Sequence, residues 1–143
     1  MKTHVFVLVP YDVPPTDIPE FVEQLLQQSC RNPDDPAGGR WDGGVGPLAR
    51  TLNDPIAEGR LPPKVRRTFS GNICDRCRLP PGVVPGALVT PDGKSHDLGD
   101  FGWRMVKEPC EANRIALDKW TARFNELMSE HEQCYVVEVW MRS

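Results

Sequence analysis

The chain of 143 residues lacks long apolar runs. None approaches the roughly 18 apolar residues of a membrane span. The apolar run at residues 5–9 is also too short for the apolar region of a signal peptide. We therefore expect no membrane partner and a cytoplasmic location.

A large charge of one sign is also missing. The 17 basic and 20 acidic residues leave a formal net charge of −3. That charge favours solubility, but it is too small to indicate a polyanionic or polycationic partner.

Recognisable catalytic motifs are missing too. The only histidines are His4, His96 and His131, and none accompanies a nucleophile elbow, so no Ser-His-Asp arrangement is indicated. The sequence contains neither a Walker A loop nor a dinucleotide-binding fingerprint nor an EF-hand spacing. We predict no catalytic residue and favour a protein that is not an enzyme.

Proline is what the chain has in excess. Its 15 prolines are about twice the average share of roughly 5%. Nine of them, and nine of the 12 glycines, lie in residues 31–86, where no sustained period of 2 or 3.6 is visible. Because proline fixes φ and lacks a backbone N–H, this span is predicted to be an irregular Pro/Gly-rich insertion. It either contains short strands that the pattern does not reveal or is held by something local.

Regular structure is predicted on both sides of the insertion. Residues 4–10 are β-branched and aromatic, as in a strand covered on both faces. Residues 134–142 alternate between apolar and polar, as in a strand nearer an edge. A helix is predicted after Asp17, which with Glu20 resembles a capping box. A second helix is predicted over residues 113–131, with a buried stripe of Leu117, Trp120, Phe124, Leu127 and Met128.

Two further elements are predicted between the insertion and the second helix. Residues 87–96 are typical of a hairpin, with Pro91, Asp92 and Gly93 at its turn. Phe101, Trp103 and Met105 alternate with other residues and suggest a third short strand.

The order of these elements predicts one α+β domain over residues 1–143. A mostly antiparallel sheet with two helices on one face suits that order. A ferredoxin-like arrangement is its simplest version, because it places the first and last strands in the same sheet.

Five glycines in residues 38–46 surround Arg40, Trp41 and Asp42. Such a loop lets backbone N–H groups approach an anion, and Trp41 with Arg40 could stack on a base or ring. One hypothesis is therefore an enzyme that binds a small molecule at these three residues. The favoured interpretation is that Trp41 anchors the loop in the core, because a large aromatic residue in a loop usually serves packing.

The segment at residues 38–43 resembles one in small uncharacterised proteins of actinobacteria and their phages, which carry Gly-Gly-Arg-Trp-x-Gly. Further matching stretches are residues 5–10, 89–93, 102–105 and 120–140, about half the chain in all. These relatives have an aromatic strand before the segment, where this chain has Asp34, Asp35, Pro36 and Ala37. The resemblance implies a phage or host cytoplasmic setting and no particular chemistry.

Cys74 and Cys77 form the sharpest chemical feature of the sequence. Two thiolates at this spacing can hold one Zn²⁺, but a zinc site needs two more ligands and no second Cys-x-x-Cys is present. We predict His96 and Cys110 as the two further zinc ligands. The other candidate ligands are Cys30, Cys134, His4 and His131. The sequence predicts no cofactor, with structural zinc as the alternative, and ordinary thiols are the favoured interpretation.

The densest basic stretch is residues 60–78, which includes Lys64, Arg66 and Arg67. These side chains could contact nucleic-acid phosphates or an acidic protein surface. Phe69 is the only aromatic residue of the stretch, so a platform for stacking single-stranded bases is not supported. Because the rest of the chain is acidic, a solvated loop face or local pairing with the acidic flanks is the favoured interpretation.

We therefore predict a small interaction or regulatory protein that binds a protein partner or itself through residues 31–86 and a sheet face carrying Trp140. Its support is the lack of catalytic motifs and the long irregular segment. The alternatives are a zinc-supported nucleic-acid-binding protein and the enzyme with a site near Arg40.

Overall fold

The structure is a computed structural model that describes residues 2–30, 39–41, 43–44, 63–104, 106 and 108–142. Within these residues the strands are β1 (Lys2–Pro10), β2 (Gly43–Gly44), β3 (Ile73–Asp75), β4 (Ala87–Val89), β5 (Ser95–Asp97) and β6 (Cys134–Arg142). The α-helices are α1 (Ile18–Gln28), α2 (Pro63–Arg66) and α3 (Glu111–Glu130).

The long strand β1 is the centre of the sheet. All five side chains from Val5 to Val9 are fully buried, and each contributes about 1.5–3 kcal/mol of burial free energy. The odd-numbered valines belong to one core cluster, whereas Phe6 and Leu8 belong to another on the opposite face. The prediction of a strand covered on both faces is confirmed.

The two ends of the chain pair along their whole length. β6 lies antiparallel to β1, from Lys2 opposite Arg142 to Pro10 opposite Cys134. On its other edge β1 pairs in parallel with β4, which forms an antiparallel hairpin with β5. β2 and β3 both pair antiparallel with β6, giving the order β2-β6-β1-β4-β5 with β3 also on β6.

The two long helices cover opposite faces of this sheet. α1 buries Ile18, Val22, Leu25 and Leu26 in the cluster that contains Val5. α3 buries Trp120, Phe124, Leu127 and Met128 in the cluster that contains Phe6. Both predicted helices are confirmed. The capping box predicted at Asp17 is not formed, because that side chain makes no capping hydrogen bond.

The α+β class is therefore correct, but the finer description of the fold is not. The sheet is mixed rather than mostly antiparallel, since β4 lies directly beside β1 and parallel to it. A ferredoxin-like sheet instead splits its β-α-β unit. The two helices are on opposite faces and not on one, because β1 presents apolar side chains to both sides.

The described part of the predicted insertion contains regular elements that periodicity did not reveal. β3 has three residues and pairs with β6, Ile73 opposite Val137. Strands this short give no detectable pattern, so the sequence does not reveal β3. The remaining residues of the predicted insertion lie outside the described part.

The hairpin prediction is confirmed, and the third-strand prediction is wrong. In the hairpin, Asp92 accepts hydrogen bonds from the Thr90 hydroxyl and the Lys94 backbone N–H. After β5 the chain forms a 3-10 helix, Leu98–Phe101, because Asp97 and Asp100 cap it reciprocally. Gly102 then ends that helix with a φ of +85°, a left-handed conformation that glycine adopts without strain.

Not one helix in the part of the chain that the structure describes is long and apolar enough to span a membrane.

Candidate functional site

Arg40 is bound to the edge of the sheet. Its guanidinium donates to Ser95 Oγ at 3.1 Å and lies 2.8 Å from Asp97 Oδ2 and 3.0 Å from Asp100 Oδ1. Burial lowers the pKa of this group, but the hydrogen bonds and charges of Asp100 and Asp97 outweigh burial and raise it. The ion pairs thus fasten the start of the glycine-rich segment to β5.

Trp41 fills the core beside α1. Its side chain is 1% exposed, and its backbone N–H donates to the Ser29 carbonyl at the end of the helix. The buried ring agrees with the favoured interpretation that Trp41 anchors the loop in the core, and its binding role stays a prediction. Asp42, the third residue of this candidate site, lies outside the described residues.

The basic stretch is only partly within the described residues. Lys64 and Arg67 are exposed, and Arg76 donates to the Met128 carbonyl at 3.3 Å. The side chain of Arg66 lies outside the described part, as does Arg60. The candidate nucleic-acid contacts at Lys64, Arg66 and Arg67 stay a prediction.

The thiols of Cys74 and Cys77 are in environments that favour protonation. Burial raises the pKa of Cys74, whose sulfur donates to the hydroxyl of Thr68. A hydrogen bond to the Asp75 carboxylate raises the pKa of the exposed Cys77 thiol. Nucleophilic and redox cysteines usually have a lowered pKa, and the surroundings of these two thiols shift it in the opposite direction.

The other two predicted zinc ligands lie on different elements. His96 is on β5, and Cys110 precedes the first residue of α3. Among the described residues, no group of three or more His, Cys, Asp or Glu side chains is placed to hold a metal ion. The zinc hypothesis therefore stays a prediction for metal analysis.

A buried polar cluster connects β1 and β6. His4 Nε2 is 2.8 Å from Glu138 Oε2, and the two residues are 8% and 1% exposed. The Asn72 carbonyl accepts from the Glu138 N–H at 2.8 Å, which places the Asn72 side chain on the same face. Neither the amide nitrogen nor the amide oxygen of Asn72 has a hydrogen-bond partner in the described part.

Asn113, by contrast, has both ends of its buried amide satisfied. Its Oδ1 accepts from the Arg104 N–H at 2.6 Å, and its Nδ2 donates to the Arg104 carbonyl at 2.8 Å. Because Asn113 is on α3, this pair of bonds fastens the segment after Gly102 to the first turn of the helix.

An apolar groove of about 430 Å³ lies between that segment and α3. Trp103, Val106 and Leu117 line it and are 39%, 52% and 44% exposed. The remaining lining residues are Glu108, Pro109, Cys110, Asn113 and Arg114. We call this the Trp103 groove. Of the five large exposed apolar residues in the described chain, three are gathered here.

The sequence interpretation missed the Trp103 groove for an identifiable reason. It assigned Leu117 to the buried stripe of α3, but the positions that face the sheet near it are Asn113 and Ala116. Leu117 is 100° around the helix from Ala116 and lies at the margin of the core. The signal available in the sequence was the pair Ile115 and Leu117, which cannot both lie on one helical face.

A second cleft, of about 440 Å³, lies where β1 ends and β6 begins. Pro10 and Pro91 form one wall, and the chain from Ser129 to Cys134 forms the other. None of its lining residues is a large exposed apolar side chain, so this cleft indicates the chemistry of a partner less clearly than the Trp103 groove does.

No protein-family model, no curated protein and no solved structure matches the chain. The resemblance to actinobacterial and phage proteins therefore stays a prediction, and function has to be argued from the described geometry alone.

Proposed function

We propose that this protein is a small interaction protein that binds a protein partner through the Trp103 groove. The observation that carries the proposal is the concentration of exposed Trp103, Val106 and Leu117 around one apolar cleft. Scattered exposed apolar residues need no explanation, but contiguous ones commonly mark an interaction surface. Tryptophan is also among the residues that most often dominate interface energies.

The segment that carries Trp103 is held in place before any partner binds, which lowers the entropic cost of binding. The two hydrogen bonds between Asn113 and the Arg104 backbone hold the segment that carries Trp103. A surface that is ordered before binding loses less conformational freedom on association. The groove thereby replaces residues 31–86 and the sheet face of Trp140 as the proposed contact surface. Both faces of the sheet are covered by helices, and Trp140 itself packs on His4.

Peptide selection on the immobilised protein tests the proposal. A displayed random-peptide library is selected against the wild type, and the enriched peptides are then measured by calorimetry. We expect an apolar consensus whose affinity falls at least roughly tenfold in Leu117→Glu, because the charge enters the apolar cleft. NMR shift changes on titration are expected at Trp103 and Val106.

Ile115 provides a matched control. It is 40% exposed against 44% for Leu117 and lies two positions away on α3, but it does not line the groove. Ile115→Glu is expected to leave peptide affinity unchanged. Equal losses of peptide affinity in Leu117→Glu and Ile115→Glu would refute a role for the groove. Peptides that shift the resonances of residues outside the groove would also refute it. Circular dichroism of both variants establishes that they are folded.

The two alternative functions have less support from the described residues. An enzyme site at Arg40 and Trp41 conflicts with the burial of the ring and the ion pairs of the guanidinium. A zinc-supported nucleic-acid binder would need further ligands near Cys74 and Cys77, and among the described residues no group of three or more His, Cys, Asp or Glu side chains is placed to hold a metal ion. Zinc analysis of protein purified without chelator, with a DNA and RNA shift assay at low salt, tests that alternative.

A further inference from the structure

β5 ends the sheet on one side, and its outer edge has no strand partner among the described strands. At one end of β5 the Thr90 N–H donates to the Lys94 carbonyl at 3.0 Å. At the other end the Leu98 N–H donates to the Gly86 carbonyl at 3.2 Å. Because hydrogen-bonded and non-hydrogen-bonded pairs alternate in an antiparallel ladder, the first and third residues of β5 point their N–H and C=O groups away from β4. Such an edge is a template for pairing with another chain.

Two of these four outward groups are bonded to side chains of the same molecule. The residues concerned are Ser95 and Asp97. Arg40 donates from Nη2 to the Ser95 carbonyl and from Nε to Ser95 Oγ, both at 3.1 Å. The Asp97 N–H donates to Asp100 Oδ2 at 3.0 Å. A strand that added to this edge would need the same carbonyl and the same N–H, so it would have to break both contacts.

Arg40 is fixed at this edge from two directions. Its Nη1 lies 2.8 Å from Asp97 Oδ2 and 3.0 Å from Asp100 Oδ1. Its backbone N–H donates to the Ser29 carbonyl at 2.6 Å, and the next residue, Trp41, is buried in the core. The guanidinium is therefore held at β5 by the carboxylates at its tip and by the core at its backbone.

We propose that Arg40 closes the outer edge of β5 and thereby prevents strand-to-strand association of this protein. Natural proteins protect edge strands with charged side chains or with segments that cover them. Here the glycine-rich segment brings its arginine to the edge from 55 positions earlier in the chain. The Trp103 groove lies elsewhere, beside α3, so the closure of β5 does not depend on the proposed function.

Arg40→Ala tests this role by removing every side-chain contact between residue 40 and β5. The substitution also leaves Asp97 and Asp100 without their cation, so association is measured in about 1 M salt, which screens repulsion between copies. We expect sedimentation velocity between about 1 µM and about 500 µM to show association of the variant at concentrations at least roughly tenfold lower than any association of the wild type. A variant that associates no more than the wild type overturns the proposal.

Arg123→Ala is the matched control for the loss of an ion-paired arginine. The Arg123 side chain is 35% exposed against 26% for Arg40, and its partner is Glu126 of its own helix. This variant should associate no more than the wild type. Equal association of Arg40→Ala and Arg123→Ala would overturn the proposal, because Arg123 donates to no backbone group of β5.

A proline at position 95 separates pairing at the edge from association of unfolded chains. The Ser95 N–H points away from β4, so Ser95→Pro removes a donor to an incoming strand and no bond to β4. Added to Arg40→Ala, it should abolish association while circular dichroism shows a folded protein. Association that persists in the folded double variant overturns edge pairing as the cause.

Hydrogen exchange examines the same edge without the proline. In associated Arg40→Ala the Ser95 N–H should exchange at least roughly tenfold more slowly than in the monomer. Unchanged exchange at Ser95 on association overturns the proposal.

Asp100→Ala serves as a second variant if Arg40→Ala does not fold. It frees the Asp97 N–H and removes one carboxylate from Arg40, so it should associate at lower concentrations than Arg123→Ala. Equal behaviour of these two variants overturns the proposal.

Discussion

At the scale of single residues, two buried asparagines show how much the surroundings of a side chain matter. Asn113 is 7% exposed and has both ends of its amide bonded to the Arg104 backbone. Asn72 is 0% exposed, and its amide atoms have no hydrogen-bond partner in the described part of the chain. A buried polar group without a partner costs about 1–3 kcal/mol.

Exchanging each asparagine for leucine should therefore change stability in opposite directions. Asn72→Leu removes an unsatisfied amide and keeps a similar volume, so we expect the free energy of unfolding to rise by about 1 kcal/mol. Asn113→Leu breaks two satisfied bonds and should lower it by about 1–3 kcal/mol. Urea denaturation measures both. A destabilised Asn72→Leu would mean that the amide is satisfied in solution.

A second prediction at this scale concerns pH. Burial, and then the nearby Arg123 charge, lower the pKa of His96 below the ordinary 6.5, against the opposing charges of Asp100 and Asp92. The unfolded chain therefore binds this proton more readily than the folded chain. The resulting loss of stability begins as the pH falls below about 6.5 and grows until the pH passes the lowered pKa.

His96→Gln should reduce this dependence. We expect the loss of unfolding free energy between about pH 7 and about pH 5 to be smaller in the variant than in the wild type. Urea titrations of both proteins at the two pH values make the comparison. If the two losses are equal, the imidazole does not contribute to acid destabilisation.

At the scale of elements, the glycine-rich segment is a connection across the sheet. Arg40 is ion-paired at the β5 edge, Trp41 is in the core, and Gly43 and Gly44 pair with the last residues of β6. The segment thus contacts both described edges of the sheet within a few residues. Its arginine and tryptophan, which resembled ligand contacts, stabilise the fold.

Trp41 and Trp103 provide the prediction at this scale. Trp41→Ala removes a ring that is 1% exposed and should lower the free energy of unfolding by about 3–5 kcal/mol. Trp103→Ala removes a ring that is 39% exposed and should lower it by less than about 1 kcal/mol. Thermal and urea denaturation measure both. Similar losses of unfolding free energy in the two variants would contradict the assignment of Trp41 to the core and Trp103 to the surface.

At the scale of the whole molecule, stability depends on β1. It pairs with β6 along all nine of its residues and with β4 on its other edge, and helices cover both of its faces. β5 has β4 as its only strand partner among the described strands. The protection of backbone amides should therefore decrease from β1 outwards.

Hydrogen exchange measures this gradient residue by residue. The slowest amides are expected between Val5 and Val9 and in the part of β6 opposite them, where exchange requires global unfolding. Ser95–Asp97 should exchange faster, through local opening of the edge. Equal protection of the amides of β1 and β5, or stronger protection of β5, would show that β1 is not the most stable part of the sheet.

The parts of the fold that could be predicted are those with a repeating pattern over many residues. β1, α1, α3, β6 and the hairpin all follow from periodicity and turn residues. The third-strand prediction at Phe101 failed because the reciprocal caps of Asp97 and Asp100, together with Gly102, favour a 3-10 helix. β3 was missed because its three residues are strand only through pairing with β6. Of the candidate site, only the packing role of Trp41 was foreseen.

The sequence by itself determined the long strands β1 and β6 and the long helices α1 and α3, because side-chain periods of 2 and 3.6 are local properties of the chain. It also determined that β1 is covered on both faces, since its apolar run is continuous. Only the tertiary structure decided that β4 lies beside β1, that α1 and α3 take opposite faces, and that Leu117 and Trp103 are exposed. A period shows which side chains share a face, whereas the neighbour that covers the face depends on distant parts of the chain.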